Sequence, residues 1–169
     1  LQQAGATALL LATNTMHKVA PAIEAAIDIP LLHIGDGVGQ ALQQDGVKRA
    51  ALLGTRFTMQ ETFYRDRLSE RCGIEVLTPA LDEQAELDRI IFQELCLGQF
   101  HDAARAYYLD SLATLKAQGA EAAILGCTEI GLLLDGCESP LPLLDSAHVH
   151  VQMGLKWIFG GTAVRGALG

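Results

Sequence analysis

The chain has 169 residues, 50% of them apolar and 19% charged, with a net charge of −8. That is enough to bury a core in one domain or two small ones, and the acidic balance argues against nucleic acid and anionic membrane as partners. No apolar run approaches the ~20 residues of a membrane span, and no charged-then-apolar secretory leader is legible, so a cytoplasmic setting is expected.

In chain order, Leu1-Gln2-Gln3-Ala4-Gly5 reads as the last turn of a helix with a glycine stop, which suggests a fragment lacking its N-terminal part. Ala8 to Leu11 reads as a strand, Thr13-Asn14-Thr15 as a loop and Met16 to Ala26 as a helix. Pro30 to Ile34 is the next expected strand, and Asp36 to Gln44 a helix closed by Asp45-Gly46. The run Gly35-Asp36-Gly37-Val38-Gly39 lacks the Lys of a phosphate loop and the spacing of a dinucleotide fingerprint, so it is expected to be a hinge or tight turn. Ala50 to Leu53 is a strand, and Thr58 with Glu61 reads as a capping box opening a helix over Met59–Arg71. Ile74 to Leu77 is a strand. Two helices follow: Asp82–Leu95, with Leu87, Ile90, Ile91 and Leu95 inward, and His101–Gln118, with Ala104, Tyr108, Leu112 and Leu115 inward. Ala122 to Leu125 is an apolar run of the buried parallel kind, and Ile130–Leu134 a short helix. Leu141 to Leu144 is a strand, Ser146 to about Ile158 a helix, and Gly160 onward a tail. Strands alternating with helices predict an α/β fold with parallel sheets.

An internal repeat organises this pattern. Gly5 to Thr15 aligns without a gap on Gly119 to Glu129, which sets Thr13 on Cys127; Pro30-Leu31-Leu32 matches Pro142-Leu143-Leu144. A pseudo-twofold arrangement of the two units would let Thr13 and Cys127 face each other across a cleft. Of the four cysteines, Cys72 precedes a glycine at a helix end, Cys96 is expected to be packed, and Cys137 lies in a loop. None forms a CxxC pair or stands at metal-ligand spacing from a His, so no metal site is expected. Only Cys127 ends a strand and starts a helix, where open α/β sheets bind ligands and a helix N-terminus would lower a thiol pKa. His17 is expected to cap or to lie at the surface, His33 and His101 to be structural, and His150 to approach the cleft.

Ala12-Thr13-Asn14-Thr15-Met16-His17-Lys18 and Gly126-Cys127-Thr128-Glu129-Ile130-Gly131-Leu132 resemble the two signature loops of the aspartate/glutamate racemase family. Leu53-Gly54-Thr55 with Thr58, and Asp145-Ser146 followed by His150, extend the resemblance over nearly the whole chain. It is nearest the L-aspartate/glutamate-specific subgroup, in which Thr replaces the first cysteine. The resemblance implies two pseudo-symmetric α/β domains with a cleft between them: a partial first domain over 1–34 plus 145–169 and a second over 35–144. It implies a cofactor-independent racemase, a small acidic amino-acid substrate and a homodimer. Cys127 and Thr13 fall on the two catalytic positions, and Asn14, Thr15, Thr128 and Thr58 on substrate-binding ones. Glu129 stands where the glutamate racemase branch has His, which favours the aspartate side. The family's further N-terminal βα segment has no match here; about two units, on the order of 60 residues at ~30 per unit, are unaccounted for.

The chemistry of the two faces is unequal. A free thiol is a few per cent ionised at neutral pH. A threonine hydroxyl is an alcohol with an acidity near that of water, at roughly 15.7. Cys127 is therefore the expected base and Thr13 the expected donor. The alternatives are a related decarboxylase or maleate-type isomerase, or an acidic-ligand-binding fragment without catalysis.

Overall fold

The computed structural model describes residues 1–160; the last nine, on which the expected tail and the end of the expected first domain fall, lie outside the described residues. A 3-10 turn at Gln2–Ala4 stops at Gly5, whose φ of 89° is left-handed, as the sequence led us to expect. A second 3-10 segment, Thr15–Val19, runs into α1 (Ala20–Ala25). Then come α2 (Ile34–Gln44), β1 (Arg49–Leu53), α3 (Arg56–Gln60) and α4 (Thr62–Cys72). They are followed by β2 (Glu75–Leu77), α5 (Leu81–Gln93), a 3-10 turn at Leu95–Leu97 and α6 (Asp102–Ala117). The described chain closes with β3 (Ala122–Leu125), α7 (Thr128–Leu134), β4 (Leu143–Asp145) and α8 (Ser146–Ile158).

The strands form one parallel sheet in the order β2-β1-β3-β4. In its core strands β1 and β3 every buried position is apolar because both faces are covered, which is how parallel sheets differ from half-exposed ones. Alternation within β1 divides the core. Ala51 and Leu53 pack with Leu87, Ile90, Tyr108 and Leu112 of α5 and α6. Ala50 and Leu52 pack on the other face with Val38 of α2, Leu68 of α4 and Val149 of α8. All eight positions expected to face inward on the two long helices are buried.

The repeat survives in the backbone. The Leu9 amide donates to the Pro30 carbonyl at 2.9 Å, and its counterpart Ala123 donates to Pro142 at the same distance. In the second unit this bond belongs to a ladder between β3 and β4; in the first it belongs to an isolated parallel bridge between Leu9 and Leu31. The expected strands over Ala8–Leu11 and Pro30–Ile34 are thus reduced to one bridge. The helices that follow also correspond: His33 caps α2, and its counterpart Asp145 caps α8. These two helices pack together, with Gly37 against Val149 and Met153.

Three expectations are corrected here. The run Gly35–Gly39 is the first part of α2, not a hinge, because its glycines admit close helix neighbours: a Cβ on Gly39 would stand 2.3 Å from the Cys72 sulfur of α4. The helix after β1 begins at Arg56 with Thr55 as its cap, and Glu61, extended at φ −72° and ψ 148°, separates it from α4. Thr58 is thus inside α3 and fully buried, not a cap. Cys96, expected to be packed, is exposed on a 3-10 turn.

Candidate functional site

The chain leaves β1 toward β2 on one side, then crosses to β3 on the other. The carboxyl ends of β1 and β3 are therefore the switch point of the sheet, where open α/β folds place a ligand crevice. Each strand ends in glycine. The Gly126 amide donates to the Leu53 carbonyl at 2.6 Å, and a Cβ on Gly126 would come within 2.9 Å of that oxygen. Only glycine lets the two strand ends run this close.

Two hydroxyl and amide networks tie the Thr13 loop to this point. Thr15, Thr55 and Thr58 form a triangle of side-chain oxygens, each pair 3.2 Å apart. Asn14 donates through Nδ2 to the Ser146 hydroxyl at 3.0 Å, and Ser146 donates to the Leu125 carbonyl at 2.7 Å, two residues before Cys127. The chain Asn14–Ser146–Leu125 is buried along its length, where each such bond is favoured over exchange with water. Asn14 Oδ1 is also buried and has no hydrogen-bond partner. The Thr13 hydroxyl makes no hydrogen bond among the described residues; its backbone amide donates to the Leu11 carbonyl at 2.7 Å.

Histidines support the loop from beneath. His17 is buried, which corrects its expected place at a cap or surface. Its Nε2 accepts from the Ile34 amide at 3.2 Å, so the ring proton is on Nδ1, which donates to the Thr13 carbonyl at 2.6 Å. Burial holds its pKa below the usual histidine value, against the pull of that carbonyl. His33 accepts the Gly35 amide on Nδ1 at 3.0 Å, and burial followed by the Arg67 charge brings it down to about 3. His150 Nε2 donates to the Leu32 carbonyl at 2.6 Å. The His17 ring stands edge-on to His33 and His150, with centroids 4.3 and 5.7 Å away. Arg67 makes a two-pronged ion pair with Asp36 at 2.6 Å beside them.

Cys127 is the N-cap of α7 and half-buried. Its thiol donates to Glu129 Oε2 at 2.9 Å, and the Thr128 hydroxyl donates to the same oxygen at 2.8 Å. Burial, and then the Glu129 carboxylate, push the Cys127 thiol well above its ordinary range. This reverses the expected depression: α7 has seven residues, and its dipole is outweighed by burial and by a carboxylate in contact with the sulfur. Burial also pushes Glu129 up, but the hydrogen bonds from Cys127 and Thr128 outweigh it and hold the carboxyl below its usual range.

Of the residues expected at the site, Asn14, Thr15 and Thr58 are drawn into the two networks, and Cys127 and Thr128 share Glu129. Residues not singled out beforehand as partners are Ser146, Thr55 and the Glu129 carboxylate. Glu129 and Ser146 stood in the motif residues, but nothing local marks which atoms they touch. A cavity of about 1030 Å³ lies nearby, lined by Leu125, Gly131, the loop after α7, Asp145 and His148; none of the expected site residues lines it. Among the described residues no group of three or more His, Cys, Asp or Glu is placed to hold a metal. Among them, too, no helix is long and apolar enough to cross a membrane.

Comparison with known proteins identifies the chain's family and fold. The chain is 42% identical to a Yersinia pestis protein whose crystal structure is described as a candidate Asp/Glu racemase, with a TM-score of 0.89 over 94% of this chain and 69% of that one. It is 33% identical to an aspartate racemase homologue from Pyrococcus horikoshii, with a TM-score of 0.81 over 96% of this chain and 70% of that one. Over 147 residues it is 28% identical to the broad specificity amino-acid racemase of Bacillus subtilis, covering 87% of this chain and 63% of that protein. The chain thus spans less than two thirds of that relative's length. The Asp/Glu/hydantoin racemase profile matches residues 1–154, and the chain belongs to that family.

Proposed function

We propose that this protein is a cofactor-independent racemase of acidic amino acids, L-aspartate or L-glutamate, with Cys127 as the base and Thr13 as the proton donor on the opposite face of Cα. The observation that carries this reading is the double tether of the Thr13 loop to the sheet's switch point, through Asn14–Ser146–Leu125 and through the Thr15–Thr55–Thr58 triangle. The thiol is a half-buried group beside that point, and the Thr13 hydroxyl has no hydrogen-bond partner among the described residues. Asn14 Oδ1, an acceptor without a partner, suits the substrate ammonium group, and Thr15, Thr58 and Thr128 supply hydroxyls for the carboxylate end. The division into 1–34 plus 145–169 and 35–144, dimer formation and a cytoplasmic location belong to the same proposal.

The test is exchange of the substrate α-proton in D₂O, read by NMR, together with formation of the other enantiomer. Wild-type protein is expected to exchange and racemise L-aspartate or L-glutamate, and Cys127→Ala to lose about 100-fold or more of that rate. Exchange undiminished in Cys127→Ala would overturn the assignment of the base. Because an alcohol delivers a proton but scarcely removes one, the two directions are expected to differ in rate. Thr13→Cys should raise the slower direction selectively; equal rates in both directions before and after that change would remove Thr13 from the mechanism.

A further inference from the structure

Resting on the reading above, we propose that Ser146 is a positioning residue that fixes the polarity of the Asn14 amide and so makes the site select substrates that carry an amino group. The direction of each hydrogen bond in the Asn14–Ser146–Leu125 chain is forced. A backbone carbonyl only accepts, so the Ser146 hydroxyl gives its single hydrogen to Leu125 at 2.7 Å. Toward Asn14, 3.0 Å away, Ser146 then offers lone pairs alone, and the amide meets it with its NH₂ group. Asn14 Oδ1 is thereby turned away from Ser146. It is buried and has no hydrogen-bond partner among the described residues. Screened from water, such an acceptor favours a donor brought by a ligand, and a cationic N–H above a neutral one. With the amide reversed, the same position would present two N–H donors, which repel an ammonium group and attract a carboxylate.

The serine is held where it can do this. Ser146 is the first residue of α8, directly after β4, and its side chain is fully buried. Asp145 beside it accepts the Ala147 and His148 amides, so the cap of α8 leaves the Ser146 hydroxyl to Leu125 and Asn14. Leu125 is the last residue of β3, two before Cys127. The polarity of Asn14 is thus set by the central sheet and not by solvent.

Calorimetric titration with two pairs of ligands tests this: L-aspartate against succinate, and L-glutamate against glutarate. The members of each pair share both carboxylates and differ in the amino group alone. Wild-type protein is expected to bind the amino acid of at least one pair about tenfold or more tightly than its deaminated twin, the ratio that one hydrogen bond to a charged group supplies. Ser146→Ala lets the amide turn about its last side-chain bond, so this ratio should fall to about threefold or less, with the affinity for the twin within about threefold of wild type. Asn14→Ala should give the same ratio, and the double variant no lower one, because the serine acts only through the amide. Ser146→Cys, with a weak donor and a weak acceptor, should lie between wild type and Ser146→Ala. A serine that serves only the fold moves both ligands of a pair equally; the ratio then stays as in wild type, and that result overturns the proposal. So does a double variant whose ratio falls below that of Asn14→Ala, and so does failure of both Ser146 variants to fold. Wild-type protein that binds neither amino acid more tightly than its twin also overturns it, while the proposed function stands or falls separately by α-proton exchange in D₂O. Wild-type protein without that exchange overturns the proposed function itself, and this inference with it.

Discussion

His17 holds the Thr13 carbonyl with one ring nitrogen and the Ile34 amide with the other, so its replacement leaves one buried and one part-buried backbone group without partners. His17→Phe keeps the ring volume and removes both bonds. At roughly 1–3 kcal/mol for each group left unpaired, the variant should lose about 2–4 kcal/mol in urea unfolding. A loss under about 0.5 kcal/mol, the range of ordinary surface changes, would mean that the loop does not depend on the histidine. That role was not readable beforehand. A histidine just inside a helix has no periodic signature, and the atoms that bury it, from Ile34, His33 and His150, are brought in by the fold. The thiol was misjudged for a related reason. The sequence marks Cys127 as the cysteine between a strand and a helix, but the direction of its pKa follows from burial, and then from the Glu129 carboxylate aimed at the sulfur, both of which the fold supplies.

Helix α2 shows the same limit at the level of an element. Three glycines in five residues read as a turn, since each weakens an isolated helix by about 1 kcal/mol relative to Ala. They are helical because α2 is pressed between α4 and α8, and the missing side chains are what let it approach. Gly39→Ala should gain propensity but lose more in packing, because the added methyl meets Cys72 Sγ at 2.3 Å and Leu68 Cδ2 at 3.2 Å. The expected net destabilisation is about 1–2 kcal/mol, from the overpacking range of roughly 1–3 kcal/mol. Cys72→Ala in the same chain removes the nearer clash and should restore most of it, a coupling that a double-mutant cycle measures. Additive losses would show that the two helices are not limited by this contact. By contrast, β1 and β3 were legible nearly residue for residue, because a strand segment buried on both faces is an unbroken apolar run, Ala50–Leu53 and Ala122–Leu125, and ends where glycine intervenes. The threonine cap after β1 was set three residues late: Thr55 and Thr58 both suit an N-cap, and what decides between them is the burial of Thr58 against Thr15.

Across the whole molecule, the two repeated units differ in how much sheet each one carries. The second contributes β3 and β4, paired within the four-stranded sheet, while the first is a single bridge supported by the histidines and the Arg67–Asp36 ion pair. The repeat could be read from spacing alone, yet the inequality could not, since strand pairing depends on neighbours that residues 5–15 do not encode. This inequality gives the protein a pH dependence. His17 and His33 are held neutral in the fold, with Arg67, Arg71, Asp36 and His150 among the charged or titratable groups facing them. Both have folded pKa values below the ordinary 6.5, with His33 at about 3. Above pH 6.5 neither the folded nor the unfolded chain protonates them, and their full contribution is present. As the pH falls below 6.5 the unfolded chain binds protons that the fold refuses, so stability declines until the folded values are reached. At about 1.4 kcal/mol per pH unit for each such group, His33 alone should withdraw about 2 kcal/mol between pH 6.5 and 5. The Asp36 carboxyl, itself held low by Arg67 against its own burial, keeps its contribution above its ordinary value of 3.8 and so leaves this window undisturbed. Urea midpoints at pH 7 and 5 measure the decline, and His33→Asn, which keeps a capping side chain for α2, should flatten it. Equal midpoints at the two pH values would mean that the histidines take up protons in the folded state, and the neutral bridge from His17 to Ile34 could not then exist as described.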